Sequence, residues 1–489
     1  MNFSLSDEQN EILSCDGDLK VNATAGSGKT TTLALKAKLV EDDPVLILTF
    51  NKAAKYEVEN KCREFSVNNV TAEHVHSLAY RNTFGKKKVK IGDLQVQEII
   101  AFLGIREVQG SPVNSVFLIA NYIILIVKYF CSSLHVHVTD LTPDDFKELV
   151  IDNFFFKNFE KLISYADRIF EAIQDQQLAM PHDAYLKMYW AKGHQLPYGH
   201  IYFDEIQDAS PVMLDLMLRQ NCTKVIVGDE HQQIYSFRYS DTNLKNLDFD
   251  EYALSTSFRF GNSIALAATD LLKLKERFGI PCEINEVKGF EVPSVINGYT
   301  AVIARTNLGL FNSAIKLINQ NSDFMKNIYF EGDLNHYNRS DSGVSISDVY
   351  HLYKGERSAI VNTMLKSIQT FDRAKEYALQ TSDYSLQMLC SMIETYKDEL
   401  PRLINELKKR VGRTKKEESN LIFTTAHKAK GMEYDEVYIC DDFMTIKNME
   451  SAANEARTGI ARIREELNLI YVSLTRSKGV AAFPEDLIY

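Results

Sequence analysis

Residues Ala23-Thr24-Ala25-Gly26-Ser27-Gly28-Lys29-Thr30 sit between a short apolar run at 19–22 and a helical stretch, LALKAKLV. No other feature constrains the fold of this chain as much. A glycine-bearing turn that ends in Lys-Thr at a helix start is suited to holding phosphate. Glycines let the backbone turn its N–H groups towards the anion. The lysine brings positive charge to the β and γ phosphates, and the threonine hydroxyl can reach Mg²⁺. The loop needs a strand before it and a helix after it, so it predicts an α/β fold. The pattern usually begins with glycine; here Ala23 takes that place. The predicted phosphate contacts are Ala25, Gly26, Ser27, Gly28, Lys29, Thr30 and Thr31.

Six further apolar runs resemble the first in length, at 45–50, 200–203, 224–227, 301–304, 421–423 and 437–439. Polar or glycine residues bound each of them, and helix-length segments separate them. That rhythm predicts parallel strands with crossover helices. Residues 86–190 and 307–420 lack it and read as mainly helical. The predicted architecture is two α/β cores with parallel sheets, each carrying a mainly helical insertion. The first core covers 1–85 and 191–255, with its insertion at 86–190. The second covers 256–306 and 421–489, with its insertion at 307–420.

Composition narrows the class. A chain of 489 residues holds about three domains' worth of sequence. With 45% hydrophobic and 25% charged residues it has the make-up of a globular protein, not a disordered or collagen-like one. Seven scattered cysteines, with no CxxC, read as reduced thiols in a cytosolic protein without a zinc framework. The N-terminus MNFSLSDEQNEILS shows no secretory signal. The most lipid-like run, VFLIANYIILIV at 116–127, is too short for a span and predicts a buried helix. The net charge of −11 does not exclude nucleic acid, because a phosphate backbone meets one local surface rather than the whole-molecule sum.

A phosphate loop needs acidic partners at the end of a neighbouring strand. The segment His200-Ile201-Tyr202-Phe203-Asp204-Glu205-Ile206-Gln207-Asp208 supplies them. Thr30 and Asp204 are the predicted metal ligands, with Asp204 acting through water. Glu205 is placed to orient and deprotonate the attacking water. The next strand leads into Gly228-Asp229-Glu230-His231-Gln232-Gln233-Ile234-Tyr235-Ser236-Phe237-Arg238. Gln232 reads as a γ-phosphate sensor, Tyr235 and Phe237 as base-stacking rings, and Arg238 as a phosphate contact or brace. The plainer alternative makes both aromatics core residues.

In this order these segments resemble superfamily 1A helicases, the UvrD/Rep/PcrA group. Gln9 in LSDEQ resembles the adenine-reading glutamine of that family. The TFNKAAK segment, with Phe50 and Asn51, resembles a DNA-contacting motif, as does HSLAY, which begins at His76. Ser257-Phe258-Arg259-Phe260 resembles the motif whose aromatic stacks on adenine and whose arginine reaches the γ-phosphate. Ala304-Arg305-Thr306-Asn307 resembles the segment that leads out of the first half of the second core. Thr425-Ala426-His427-Lys428-Ala429-Lys430-Gly431-Met432-Glu433 resembles motif V, with His427 on the DNA side and Glu433 on the nucleotide side. Leu469 to Lys478 resembles motif VI, with Arg476 as its arginine finger. The wording is most similar to the helicase region of the F-box DNA helicases, in TFNKAAK, VGDEHQQIYSFR, STSFRFGNSIA, IYFEGDLNHY and TAHKAKGMEYDEVYICDDF. With Gln9 already at residue nine, the expectation is a bare bacterial or phage relative without an F-box and without a ubiquitin-ligase role. Phe258 replaces the usual tyrosine and Phe237 the commoner tryptophan.

The resemblance implies an ATP- and Mg²⁺-dependent translocase or helicase on single-stranded and tailed duplex DNA, moving 3′ to 5′ in the cytoplasm. It places hydrolysis between the two cores, with Lys29, Thr30, Asp204, Glu205 and Gln232 from the first and Arg259 and Arg476 from the second. The family's duplex contacts lie in the second insertion, which is short here, so translocation is expected ahead of strong unwinding. The basic cluster Lys86, Lys87, Lys88 and Lys90 reads either as a duplex contact or as a solvated loop. The charge run at 408–418 has the same two readings. The alternative function is an ATP-gated DNA-sensing subunit that switches a partner nuclease in antiviral defence. No nuclease signature is visible in the chain itself. Repair and recombination are the other pathways the resemblance implies.

Overall fold

The computed structural model describes residues 5–50, 52–106, 115–150, 152–234, 247–282, 286–290, 299–320, 327–340, 343–380, 383–411, 415–454 and 457–488. The chain divides into two compact units. One is 1–256 with 455–461; the other is 257–454 with 462–489.

The first unit is built on a six-stranded sheet of β1 (Leu19–Ala23), β2 (Val45–Thr49), β3 (Val70–His74), β4 (His200–Asp204), β5 (Thr223–Gly228) and β6 (Asp250–Leu254). Its spatial order is β3-β2-β4-β5-β1-β6, and every pair is parallel. Side chains alternate across a strand, so a sheet covered on both faces needs apolar residues at successive positions. Leu46, Leu48, Ile201, Phe203 and Ile226 point into one core. Val45, Ile47, Tyr202, Val225 and Val227 point into the other, with Leu33, Ala34 and Ala37 of the helix Lys29–Leu39.

The described residues between β3 and β4 are mainly helical, and their helices include Ser115–Ser132, Phe159–Gln174 and His182–Ala191. They form the bulk of the first core. The run at 116–127 lies within Ser115–Ser132, where Ala120, Ile123, Val127 and Phe130 recur at helical spacing and are buried. It is a core helix, as its length predicts. No helix among the described residues is long and apolar enough to cross a membrane.

The second unit holds a five-stranded sheet. Its spatial order is Ile328–Phe330, Leu421–Thr425, Thr300–Ala304, Tyr434–Ile439 and Ser477–Ala482, again all parallel. Between its second and third strands in the chain lies a helical stretch that includes Ile346–Tyr353, Tyr384–Tyr396 and Leu400–Val411. Its residues Leu352, Leu386, Leu389, Ile393, Leu403 and Leu407 share a core with Val302, Phe330 and Phe423 of the sheet.

All seven apolar runs are strands, though the second ends at Thr49 rather than Phe50. Four strands of these two sheets do not stand out in the sequence: β3, β6, Ile328–Phe330 and Ser477–Ala482. They are the outer strands of the two sheets. An outer strand has a neighbour on one side only, and polar residues enter it more readily; in β3 Thr71 is half-buried, and the buried Glu73 is paired with Arg81 Nη1 at 2.6 Å.

Candidate nucleotide-binding site

β1 delivers the phosphate loop to the C-terminal edge of the first sheet. Ala23 is still in the strand, in register with Leu254. Extended backbone suits any residue, so alanine serves where the general pattern has glycine. Gly26 and Gly28 have φ of 75° and 81°, a region open chiefly to glycine. Thr24 donates its N–H and its Oγ1 to the Leu254 carbonyl at 2.9 and 3.1 Å. Ser27 Oγ donates to the Thr24 carbonyl at 2.9 Å. These bonds shape the turn from within. Ala25, Ser27 and Thr31 are buried, so what they can offer a ligand is backbone N–H. Gly28 precedes the helix Lys29–Leu39 and supplies no side-chain cap. Such a helix start is a natural anion site.

The acidic residues meet this loop. Thr30 Oγ1 donates to Asp204 Oδ2 at 3.0 Å, and Lys29 Nζ lies 3.7 Å from Glu205 Oε1. Asp204 ends β4 and is 2% exposed. Burial raises its pKa, the charge of Glu205 adds to the rise, and Lys29 opposes it. A buried carboxyl beside a threonine hydroxyl, reluctant to ionise without a cation, fits Mg²⁺. Glu205 has φ 59° and ψ 44°, a left-handed backbone uncommon for a residue with a side chain. Strain of this kind gathers at functional sites.

Gln232 also comes to this edge. Its Nε2 donates to Asp229 Oδ2 at 2.7 Å, and the other oxygen of Asp229 accepts the His231 N–H at 3.0 Å. Burial raises the pKa of Asp229 and Lys29 opposes the rise. Gln207, to which the sequence pattern alone gives no role, links these parts. Its Nε2 donates to Glu205 Oε2, and its Oε1 accepts the Asp229 N–H at 3.0 Å. An amide two residues beyond a candidate catalytic glutamate was the available signal.

Gln9 is buried. Its Nε2 donates to Thr32 Oγ1 at 3.0 Å, and its Oε1 accepts the Ser6 N–H at 3.1 Å. Thr32 Oγ1 donates in turn to the Gly28 carbonyl at 3.0 Å. Gln9 therefore ties the helix Asp7–Ser14 to the phosphate loop. Reading a base with this amide would exchange one of these bonds.

In the second unit, Arg259, Glu433 and Arg476 form one cluster. Arg259 Nε and Nη2 reach Glu433 Oε1 at 2.9 and 2.8 Å, and Nη1 donates to the Thr475 carbonyl at 3.0 Å. Lys478 Nζ lies 3.2 Å from Glu433 Oε2. Burial pushes the pKa of Glu433 up, but Arg259 and Lys478 outweigh it and hold the group below its usual value. Arg476 is 2% exposed and donates to the carbonyls of Val472 and Met432, at 3.0 and 3.5 Å, and to Thr475 Oγ1 at 3.2 Å. Phe258 is 38% exposed, its ring 5.6 Å from that of Phe290.

Among the DNA candidates, Phe50 follows β2 directly and is half-buried. His76 is buried, with Nε2 2.8 Å from Asp183 Oδ1, so its ring braces the helix His182–Ala191. His427 is half-buried on the short helix Ala426–Ala429. The four lysines at 86–88 and 90 are exposed. Asn51, Tyr235, Phe237 and Arg238 lie outside the described residues.

Residues 200–480 match the UvrD-like helicase C-terminal domain, and residues 12–238 match an AAA domain. F-box DNA helicase 1 of Gallus gallus is 27% identical over 96% of this chain and 47% of its own length. F-box DNA helicase protein 1 of Schizosaccharomyces pombe is 29% identical over 97% of this chain and 56% of its own length. The chain thus spans about half the length of these curated relatives.

Proposed function

Because the chain belongs to the UvrD-like helicase family, we propose that it is an ATP-dependent translocase and helicase on single-stranded DNA, moving 3′ to 5′. The observation that carries this reading is the convergence of Lys29, Thr30, Asp204, Glu205 and Gln232 at one sheet edge. The relatives' names, as DNA helicases, support DNA as the substrate. In the same proposal the domain boundaries fall at 85/86, 190/191, 255/256, 306/307 and 420/421.

The backbone N–H groups from Ala25 to Thr31 cradle the phosphates of ATP, and Lys29 turns to the β and γ phosphates. Thr30 and Asp204, the latter through water, would hold Mg²⁺, which would supply charge neutralisation on the phosphate oxygens. Glu205 aligns the attacking water and takes its proton. Gln232 reads the γ-phosphate. Arg259 and Arg476 supply the cationic charge that the transferring phosphoryl group requires. Phe258 stacks on adenine, with Gln9 and Glu433 as further nucleotide contacts. Phe50, Asn51, Tyr235, Phe237, Arg238 and His427 are assigned to DNA contact, and the buried His76 acts from behind by bracing the helix His182–Ala191.

The test is steady-state ATP turnover with and without single-stranded DNA. Lys29→Ala, Glu205→Gln and Arg476→Ala should each abolish DNA-stimulated turnover, read per folded molecule because Arg476 is buried and bonded to Val472, Met432 and Thr475. Loss of an arginine finger costs about 10³–10⁵ in rate. Near-normal turnover by Arg476→Ala would overturn its assignment. Strand displacement from a 3′-tailed but not a 5′-tailed duplex tests the polarity. DNA-stimulated turnover without any displacement would replace unwinding by protein stripping or DNA sensing.

A further inference from the structure

We propose that Gln207 is the positioning residue for Glu205. It holds the water-activating carboxylate and ties it to the segment that carries Gln232. The inference rests on the reading of Glu205 as the base in ATP hydrolysis.

Gln207 is 4% exposed, and both ends of its amide are used. Nε2 donates to Glu205 Oε2, while Oε1 accepts the Asp229 N–H at 3.0 Å. Its backbone carbonyl accepts from Gln233 Nε2 at 3.2 Å. Asp229 in turn binds Gln232 Nε2. One short path of hydrogen bonds therefore runs from Glu205 through Gln207 and Asp229 to Gln232. The close approach is built into β5. A Cβ on Gly228 would overlap Gln207 Oε1 and stand 2.8 Å from Ile206 Cγ2, so a glycine there makes room for the amide.

Chemistry favours an amide at this place. In the proposed mechanism Lys29 turns to the phosphates when ATP binds and so leaves the 3.7 Å contact with Glu205. The Gln207 amide is a restraint that ATP does not take away. It is also uncharged. A lysine or arginine would hold the carboxylate as firmly but lower its basicity, and a second carboxylate would raise its pKa.

The experiment uses the full chain, with kcat and KM for ATP measured in the presence of single-stranded DNA across a pH series. Gln207→Ala should lower kcat by about 10², the scale of a misplacement near 1 Å. Its KM for ATP should stay within about twofold, since ground-state binding is untouched. Gln207→Glu keeps the acceptor for the Asp229 N–H but sets a carboxylate against Glu205. The acid limb of its kcat profile should therefore move to higher pH. In a Glu205→Gln background, Gln207→Ala should cause no further loss. A merely structural role predicts a lower melting temperature with unchanged kcat per folded molecule and an unmoved acid limb, and that result would overturn the proposal. If Gln207→Ala does not accumulate as folded protein, the pH profile of Gln207→Glu decides. Near-normal turnover by Glu205→Gln sinks the underlying reading of the base, which separates that failure from failure of the proposal.

Discussion

Gly228→Ala puts the tightest packing at the sheet edge under test. Gly228 is the last residue of β5, paired with Asn22 of β1, and its backbone cannot retreat without disturbing the sheet. The new Cβ would overlap Gln207 Oε1 and lie 2.8 Å from Ile206 Cγ2. Two outcomes are open to the protein. Gln207 stays, at an overpacking cost of about 1–3 kcal/mol. Or it swings away, and the buried Asp229 N–H loses its acceptor at a similar cost of about 1–3 kcal/mol. Replacing glycine returns about 0.4–1 kcal/mol through the unfolded chain. At the middle of these ranges the net loss is about 1.3 kcal/mol, or roughly 3–5 °C in melting temperature for a unit of this size. If Gln207 swings away, kcat should fall by about 10² as well. Scanning calorimetry and DNA-stimulated ATPase measure the two effects. In the double variant Gly228→Ala/Gln207→Ala the overlap with Oε1 is gone and the Ile206 contact remains, so melting temperature should recover part of the loss while kcat stays low. A Gly228→Ala protein with the parent's melting temperature and kcat would refute the close approach and the reasoning built on it.

Three other outcomes follow from the geometry. Burial first, and then the charge of His76, push the pKa of His74 down from 6.5 to about 4. The unfolded chain therefore holds that proton more tightly, and stability should fall as pH drops from about 6.5 towards about 4; His74→Asn should flatten this limb in denaturant titrations. Asp348 accepts the Val361 N–H at 2.6 Å and Ser345 Oγ at 2.8 Å, bonds that outweigh burial and hold its pKa below the usual carboxylate value. Its contribution is present above the unfolded carboxylate pKa and lost as pH falls through the folded one, so Asp348→Asn should destabilise the second unit at neutral pH and make it less acid-sensitive; equal acid sensitivity would count against this. Phe258→Ala should raise KM for ATP with kcat little changed, and an unchanged KM would remove its ring from the nucleotide contacts.

The central strands were legible because they are covered on both faces. Residues 45–48 and 201–203 are continuous apolar runs for that reason, and the structure sends alternate members to two different cores. The phosphate loop was legible because positive φ demands glycine at 26 and 28 and because Lys29 and Thr30 must follow directly in the chain. Asp204 and Glu205 were legible as an acidic pair closing a strand. The outer strands were not, since an edge accepts almost any alternation. The role of Gln207 was not legible either. Glutamine two residues after Glu205 says little by itself in sequence; it becomes particular only where β4 and β5 lie side by side, bringing the Asp229 N–H to its oxygen and Gly228 beneath it. The same holds for Gln9, whose bond to Thr32 spans 23 residues. Local chemistry is written in neighbouring letters, whereas a hydrogen bond between distant letters exists only once the sheet has fixed which strand ends are adjacent.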